Sequence, residues 1–292
     1  MRTVSAPSDV RASVAAARSR GRTIGFVPTM GALHAGHTSL IEEARAQGHY
    51  VVVSIFVNPM QFNDPRDLAA YPRTNAPDEN LCSSAGVDLL WRPTVDDIYP
   101  TGFDTSVEPG LLASVLEGEH RPGHFRGVAT VVLKLFNVVA PDVAFFGRKD
   151  FQQLAVLKRM VHDLAVPVDI VGCPTIRESD GLAMSSRNMK LSFAARQSAV
   201  ALSRALHAVV EELRNGRNAV EARAIGVAAL SIVGGVELEY LEVVDRDTLA
   251  PVAGDNPVNA VVVVAATVDG VRLIDNLEVD DIPQHHPGGR IR

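Results

Sequence analysis

A chain of 292 residues, 47% hydrophobic and 21% charged, is long enough for one large or two moderate domains and apolar enough to fill their cores, which excludes wholesale disorder. A net charge of −6 argues against nucleic acid or an anionic membrane as partner, although basic groups at residues 120–126, 148–149, 177 and 187 leave an anionic small molecule open. Cys82 and Cys173 lie far apart without metal spacing, which argues against a disulfide framework or a zinc site and suits buried thiols in a cytoplasmic protein.

Residues 1–10 lack the apolar core of a signal peptide, and the longest apolar run, 260–268, is too short to span a membrane. Residues 10–20 are Ala-rich and predict the first helix. Residues 23–27 form a short apolar run, the first strand. Residues 28–37 then read Pro-Thr-Met-Gly-Ala-Leu-His-Ala-Gly-His, and residues 38–47 carry Leu40, Ile41 and Ala44 at helical spacing. The stretch is a strand-to-helix crossing at the carboxyl end of a strand, where open α/β sheets bind ligands. Gly31 and Gly36 permit unusual backbone angles and close approach of a ligand. His34 and His37 are three apart and in helical geometry would share a face. Free N–H groups and the positive dipole end of a helix suit a phosphate, and two imidazoles add donors there.

Residues 51–57 form a continuous apolar run, as in a strand covered on both faces. It ends at Asn58-Pro59-Met60-Gln61-Phe62. Side-chain amides at Asn58 and Gln61 can bond a carboxylate or hydroxyl; Asn58-Pro59 would also start a turn, whereas Gln61 needs no turn role. Residues 64–73 read as a polar loop, 77–85 as a helix, 87–91 as a strand and 105–108 as a further strand. Residues 117–127 form a long polar loop of a kind that often carries function. A helix over 128–139 and a strand over 143–146 follow.

Gly147-Arg148-Lys149-Asp150 makes a second strand-to-helix junction, opening a helix over 151–164. Gly147 gives backbone access and Lys149 can meet phosphate. Asp150 can accept from a ribose, aid a Mg²⁺ or cap the helix, and either Gln152 or Gln153 can face the site. Lysine is rare, four against 24 arginines, so Lys149 marks a place where a compact ammonium is wanted. A strand over 168–171 completes an alternation that predicts α/β architecture, a doubly wound, Rossmann-like parallel sheet.

Residues 177–188 put Ser185, Ser186 and Arg187 on a Gly-containing loop that can close over a triphosphate or serve as a Ser-rich linker. Helices over 192–215, capped by Ser192, and 219–232 precede strands over 237–244, 259–268 and 271–277, with a tight hairpin at Asp269-Gly270. The expected division is a larger domain over 1–174, a small α+β domain over 175–282, and a flexible tail over 283–292 in which His285 and His286 are a solvated end.

The motifs together have a known likeness. HAGH resembles the HxGH signature of the nucleotidyltransferase superfamily. MSSR resembles its second phosphate loop, related to the KMSKS loop of class I aminoacyl-tRNA synthetases. PTMGALHAGHTSLI, VSIFVNPMQF, RPGHFRGVATVV, FGRKDFQQL and RESDGLAMSSRN, in that order within residues 27–191, resemble the pantoate–β-alanine ligases. That resemblance implies that ATP with Mg²⁺ and pantoate give pantoyl adenylate and pyrophosphate, and that the amine of β-alanine then displaces AMP to give pantothenate. It implies ATP contacts from Met30, Gly31, Ala32, Leu33, His34, Ala35, Gly36, His37, Gly147, Arg148, Lys149, Asp150, Ile176, Met184, Ser185, Ser186 and Arg187. Gln61 would hold pantoate and lie near β-alanine, Gln153 would hold pantoate, and Asn58 stands beside them. His37 is the acid by family pattern, with His34 and Lys149 as its catalytic partners; both imidazoles read chiefly as donors to developing phosphate charge. Asp150 is the candidate metal contact, with Mg²⁺ held mostly through the phosphates. The small domain would close over the ATP site, and the family pattern implies a homodimer.

The chain departs from that pattern with Arg148 where the family usually has Glu, Phe151 where Tyr is frequent, and Lys190 where Tyr is common. Two other functions compete. An adenylyltransferase acting on a phosphorylated acceptor would want a basic acceptor pocket in place of the two amides. A non-catalytic nucleotide-binding module predicts loss of His37 or Lys149, and both are present.

Overall fold

Short β-branched and aromatic runs build one six-stranded sheet: β1 (Arg2–Val4), β2 (Ile24–Thr29), β3 (Tyr50–Ile55), β4 (Leu89–Trp91), β5 (Val143–Gly147) and β6 (Asp169–Cys173). All neighbours are parallel, in the order β1-β4-β3-β2-β5-β6. The computed structural model describes residues 1–254 and 259–279. The expected tail with His285 and His286 lies outside the described residues.

Alternate side chains of each strand enter different cores. Ile24, Phe26, Val52, Leu89 and Trp91 pack on one face with α1 (Pro7–Arg18) and with the later helices α7 (His124–Val139) and α8 (Phe151–Asp163). Val27, Val51, Val53, Leu90 and Phe145 pack on the other with Leu40, Ile41 and Ala44 of α2 (Ala35–Ala46). Each such side chain, fully buried, contributes roughly 1.5–3 kcal/mol. The sheet is therefore the rigid platform, and the loops at its carboxyl edge ride on it. From β2 the chain order runs one way through β3 and β4 and the other way through β5 and β6. The β2/β5 boundary is thus the switch point of the sheet, the place where such folds bind ligands.

Several elements differ from expectation. β1 is an addition; only Val4 of its three residues is buried, so this edge strand leaves no period to read. β2 runs on to Thr29 because Pro28 and Thr29 pair with Ser54 and Ile55, while pairing to β5 stops at Phe26. The loop over 64–73 contains α3 (Pro65–Ala69), where the Asp64 carboxylate accepts the Arg66 N–H at 2.8 Å. α4 is Asn75–Ser84. α5 (Val95–Ile98) opens on a reciprocal Thr94–Asp97 capping box. No strand forms over 105–108; the Val107 N–H is satisfied by Thr130 Oγ1 of α7 at 2.9 Å. The polar loop over 117–127 is broken by α6 (Glu117–His120), and α7 begins inside it, after Gly123 at φ +81°.

The chain divides into two units. The first holds Met1–Glu178 and Ala183–Ser186; the second holds Ser179–Leu182 and the described residues from Arg187 onward. The expected change of unit at 174/175 thus becomes an interleaved passage over 178–187. In the second unit, α9 (Phe193–Arg214), capped by Ser192, and α10 (Ala219–Ser231) pack on the antiparallel sheet β7 (Val236–Asp245), β8 (Ala260–Val268) and β9 (Val271–Glu278). Asp269 and Gly270, at φ +50° and +78°, make the two-residue hairpin expected from the sequence.

Candidate active site

The first crossing is built by its own side chains. α2 begins at Ala35, inside the signature, so His34 is its N-cap, in extended conformation, and not a member of a helical face as expected. His34 Nδ1 accepts the Gly36 N–H at 3.1 Å, and His37 Nδ1 accepts the His34 N–H at 3.3 Å. The His37 and Thr38 amides bond back to the His34 carbonyl. The first-turn amides expected to meet a phosphate are therefore largely committed within the loop. The remaining donor capacity lies on the rings. With Nδ1 accepting on both rings, the ring proton sits on Nε2, and each imidazole offers one Nε2–H. The rings lie 4.2 Å apart, centroid to centroid.

Glycine has two different uses here. Gly31 takes φ +84°. Gly36 has ordinary helical angles; a Cβ there would stand 2.9 Å from Cε1 of His34, so its bareness admits the His34 ring. Ala32, at φ +50°, sits in the left-handed region at a cost of about 1–3 kcal/mol.

Burial first, then the Lys149 ammonium, lowers the pKa of His34, against the carboxylates of Asp150 and Glu178. Burial first, then His34, holds His37 down to about 3. Both rings are thus neutral donors at pH 7, which suits hydrogen bonding to phosphate better than release of a proton from an imidazolium.

The amide pair sits at the end of β3. Asn58 is 1% exposed and uses its whole capacity inside the protein. Its Oδ1 accepts the Met60 N–H at 3.2 Å and the Tyr99 hydroxyl at 2.7 Å, and its Nδ2 donates to Gly127 O at 3.1 Å and Gln61 Oε1 at 3.0 Å. A direct substrate contact, the expectation for Asn58, would have to break one of these bonds. What Asn58 does here is turn the Gln61 amide. Its oxygen is fixed by a backbone N–H, so its nitrogen faces Gln61 Oε1, and Gln61 Nε2 points at Met30 Sδ, 3.1 Å away. Gln61 is also held by its backbone. Its carbonyl accepts from His124 Nδ1 at 2.8 Å and Arg121 at 3.3 Å. Gly127 lets α7 press on this turn, since a Cβ there would lie 2.4 Å from Met60 O.

The second crossing is a single turn, Arg148–Asp150, ahead of α8. Asp150 makes no side-chain cap to α8; its carboxylate lies 3.6 Å from Lys149 Nζ. Arg148 Nε donates to Gly172 O on β6 at 3.1 Å, with its Cγ over the bare α-carbon of Gly172. Gln152 is buried, its Nε2 donating to Leu112 O and Val115 O and its Oε1 accepting the Glu117 N–H. Gln153, half-buried, makes no side-chain hydrogen bond among the described residues, in contrast to Gln152. In the third stretch, Met184 N–H bonds Ile176 O at 2.9 Å beside an Arg177–Ala183 bridge, and Met184 packs near Gly36. Ser186 Oγ is 3.3 Å from the Tyr71 hydroxyl. Ser185 lies in this same unit, whereas Arg187 belongs to the second. The first unit thus gathers the His pair, Lys149, Asp150, Gln61, Met30, Ile176 and Met184 at one end of the sheet.

The family model for pantoate-beta-alanine ligase matches residues 2–278. The chain belongs to the pantoate–β-alanine ligase family. A pantothenate synthetase of Cereibacter sphaeroides is 51% identical over 275 residues, 93% of this chain and 97% of that one. The crystal structure of a pantothenate synthetase from Thermus thermophilus is similar with a TM-score of 0.91 at 48% identity, over 96% of this chain and 99% of that one. A pantoate-beta-alanine ligase from Francisella tularensis, complexed with beta-gamma ATP and beta-alanine, is similar with a TM-score of 0.78 at 36% identity, over 97% and 100% of the two chains.

The roles of three residues of this ligase escape a reading of the sequence. Asp78 is 2% exposed and bonds the signature loop from α4. His124 stands in one of the family-like motifs, but no local pattern says that it holds Gln61. Gln152, a candidate for the site alongside Gln153, proves to be the anchor of the 112–117 loop. A carboxylate in a polar helix carries no signal of burial, and the partner of Asp78 lies 46 residues away.

Proposed function

We propose that this pantoate–β-alanine ligase joins its two substrates through an acyl adenylate, with the phosphate chemistry at the first crossing and pantoate beside Gln61 and Gln153. In the first step a pantoate carboxylate oxygen attacks the α-phosphorus of ATP, and the bond to the bridging oxygen breaks to release pyrophosphate. The His34 and His37 Nε2–H groups donate to phosphate oxygens as charge develops, and Lys149 adds a fixed positive charge. The Gln61 Nε2–H orients an oxygen of pantoate without adding charge, and Gln153 holds the same substrate. In the second step the neutral amine of β-alanine attacks the acyl carbon, loses a proton and expels AMP. No protein nucleophile is needed, since positioning and charge neutralisation suffice.

Among the described residues no group of three or more His, Cys, Asp or Glu could hold a metal. Asp150, beside Lys149, is the protein carboxylate that would touch a Mg²⁺ carried mainly by the nucleotide. When bound, that ion screens the triphosphate charge. The same proposal includes a homodimer in the cytoplasm, a setting that the free, buried Cys82 and Cys173 support. No helix among the described residues is long and apolar enough to cross a membrane.

The observation that carries this reading is the capping box that takes up Nδ1 of two neutral imidazoles beside Lys149 and leaves Nε2–H as the ring donor of each. Supplying ATP, pantoate and β-alanine together should yield pantothenate, AMP and pyrophosphate in equal amounts, and omitting pantoate should abolish AMP. Adenylyl transfer to a phosphorylated acceptor in place of pantothenate formation would overturn it.

A further inference from the structure

The capping box is itself held from behind. Asp78 sits on α4, buried beneath the signature loop. Its Oδ2 accepts the Ala32 N–H at 3.0 Å, and its Oδ1 accepts the Leu33 N–H at 2.8 Å and the Thr74 hydroxyl at 3.0 Å. Gly31 and Ala32 are two consecutive left-handed residues; the Ala32 amide lies between them and the Leu33 amide follows them, just ahead of His34. A Cβ on Gly31 would stand 3.0 Å from Asp78 Oδ2, so the loop and the carboxylate are in close contact.

Packing alone does not hold the loop there. A cavity of about 440 Å³ lies against it, lined by Met30, Gly31, Ile55, Arg73, Thr74 and Asp78 among others. The loop could relax toward that space, and Ala32 has a backbone reason to do so, since an L-residue avoids its angles. A carboxylate is the side chain that can accept both amides and the hydroxyl at once. An amide has one accepting oxygen and would set its NH₂ against an N–H.

We propose that Asp78 is a positioning residue for adenylation: it clamps the Ala32 and Leu33 amides and so fixes where the His34 and His37 Nε2–H groups point. It touches neither substrate. The inference rests on the reading of the His pair as phosphate donors. It also means that the Ala32 and Leu33 amide hydrogens are committed to Asp78 and not offered to ATP.

The test compares Asp78→Asn, Thr74→Val and Thr74→Ser with the parent chain in single-turnover formation of pantoyl adenylate from ATP and pantoate. Asp78→Asn should lower the rate roughly 10- to 100-fold, as expected for catalytic groups displaced by about an ångström, while KM for pantoate changes little. Thr74→Val should lower it by a smaller factor, and Thr74→Ser, which keeps the hydroxyl, should restore it. The second readout is ¹⁵N NMR of the ring nitrogens. In the parent, His34 and His37 should each show an unprotonated Nδ1 and a protonated Nε2; in Asp78→Asn both rings should exchange between tautomers. A merely structural role would not move those signals in a variant that stays folded.

A folded Asp78→Asn with parent-like rate and ring signals overturns the proposal. If that variant cannot be recovered folded, Thr74→Val decides: a parent-like rate overturns the clamp, and a loss restored by Thr74→Ser supports it. Failure of the underlying reading looks different, because His34→Ala and His37→Ala would then both form adenylate at the parent rate.

Discussion

The most informative residue is His37. Burial and its neighbour His34 hold its pKa at about 3, so it carries no charge at physiological pH. A group whose pKa falls from the ordinary 6.5 to that value stays neutral as pH drops through 6.5, and takes its proton only in strong acid. The ring resonances of His37 in the free protein should therefore not titrate between about pH 8 and pH 5; a midpoint near the ordinary histidine value of about 6.5 would contradict the assignment. Substitutions follow from the same neutrality. His37→Ala removes the Nε2–H and should lower the adenylation rate about 10²–10³-fold, as for loss of an oxyanion donor. His37→Gln keeps an N–H donor and should retain more activity than His37→Ala. Equal loss in both would favour proton transfer over hydrogen bonding.

At the scale of elements, α8 separates two neighbouring glutamines. Gln152→Ala strips the partner from the Glu117 N–H and from the Leu112 and Val115 carbonyls, so it should destabilise the protein by about 1–3 kcal/mol, read as a lower urea midpoint. Gln153→Ala should leave that midpoint unchanged and raise KM for pantoate about tenfold, the loss of roughly one hydrogen bond. The reverse pattern would exchange their roles. No sequence pattern could decide between them, because both open the same helix turn and the deciding contact is a loop 35 to 40 residues earlier in the chain. Elements with a strong period were legible: α7, α8, α9 and the β8–β9 hairpin lie close to where spacing and turn chemistry put them. Those missed were short or held from outside. β1 exists because β4 offers an edge, and residues 105–108 fail to pair because Thr130 satisfies Val107. α2 starts at Ala35 and not at Thr38 because the His34–His37 capping box, with two imidazoles in place of a hydroxyl and a carboxylate, does not look like one in sequence.

For the whole molecule, the parallel order β1-β4-β3-β2-β5-β6 places the two crossings after β2 and β5 side by side at the switch point, and so brings together motifs far apart in the chain. The motifs mark the candidate site in the sequence, whereas Asp78 and His124, which hold its loop and its Gln61 turn from behind, are set by tertiary contacts that no local pattern encodes. Central to the proposed chemistry is that this site activates pantoate before any amine enters. Exchange of labelled pyrophosphate into ATP measures that step directly. With ATP, Mg²⁺ and pantoate alone, the protein should catalyse the exchange, and β-alanine should not be required. Exchange that appears only when β-alanine is present, or no exchange with pantoate at all, would contradict it.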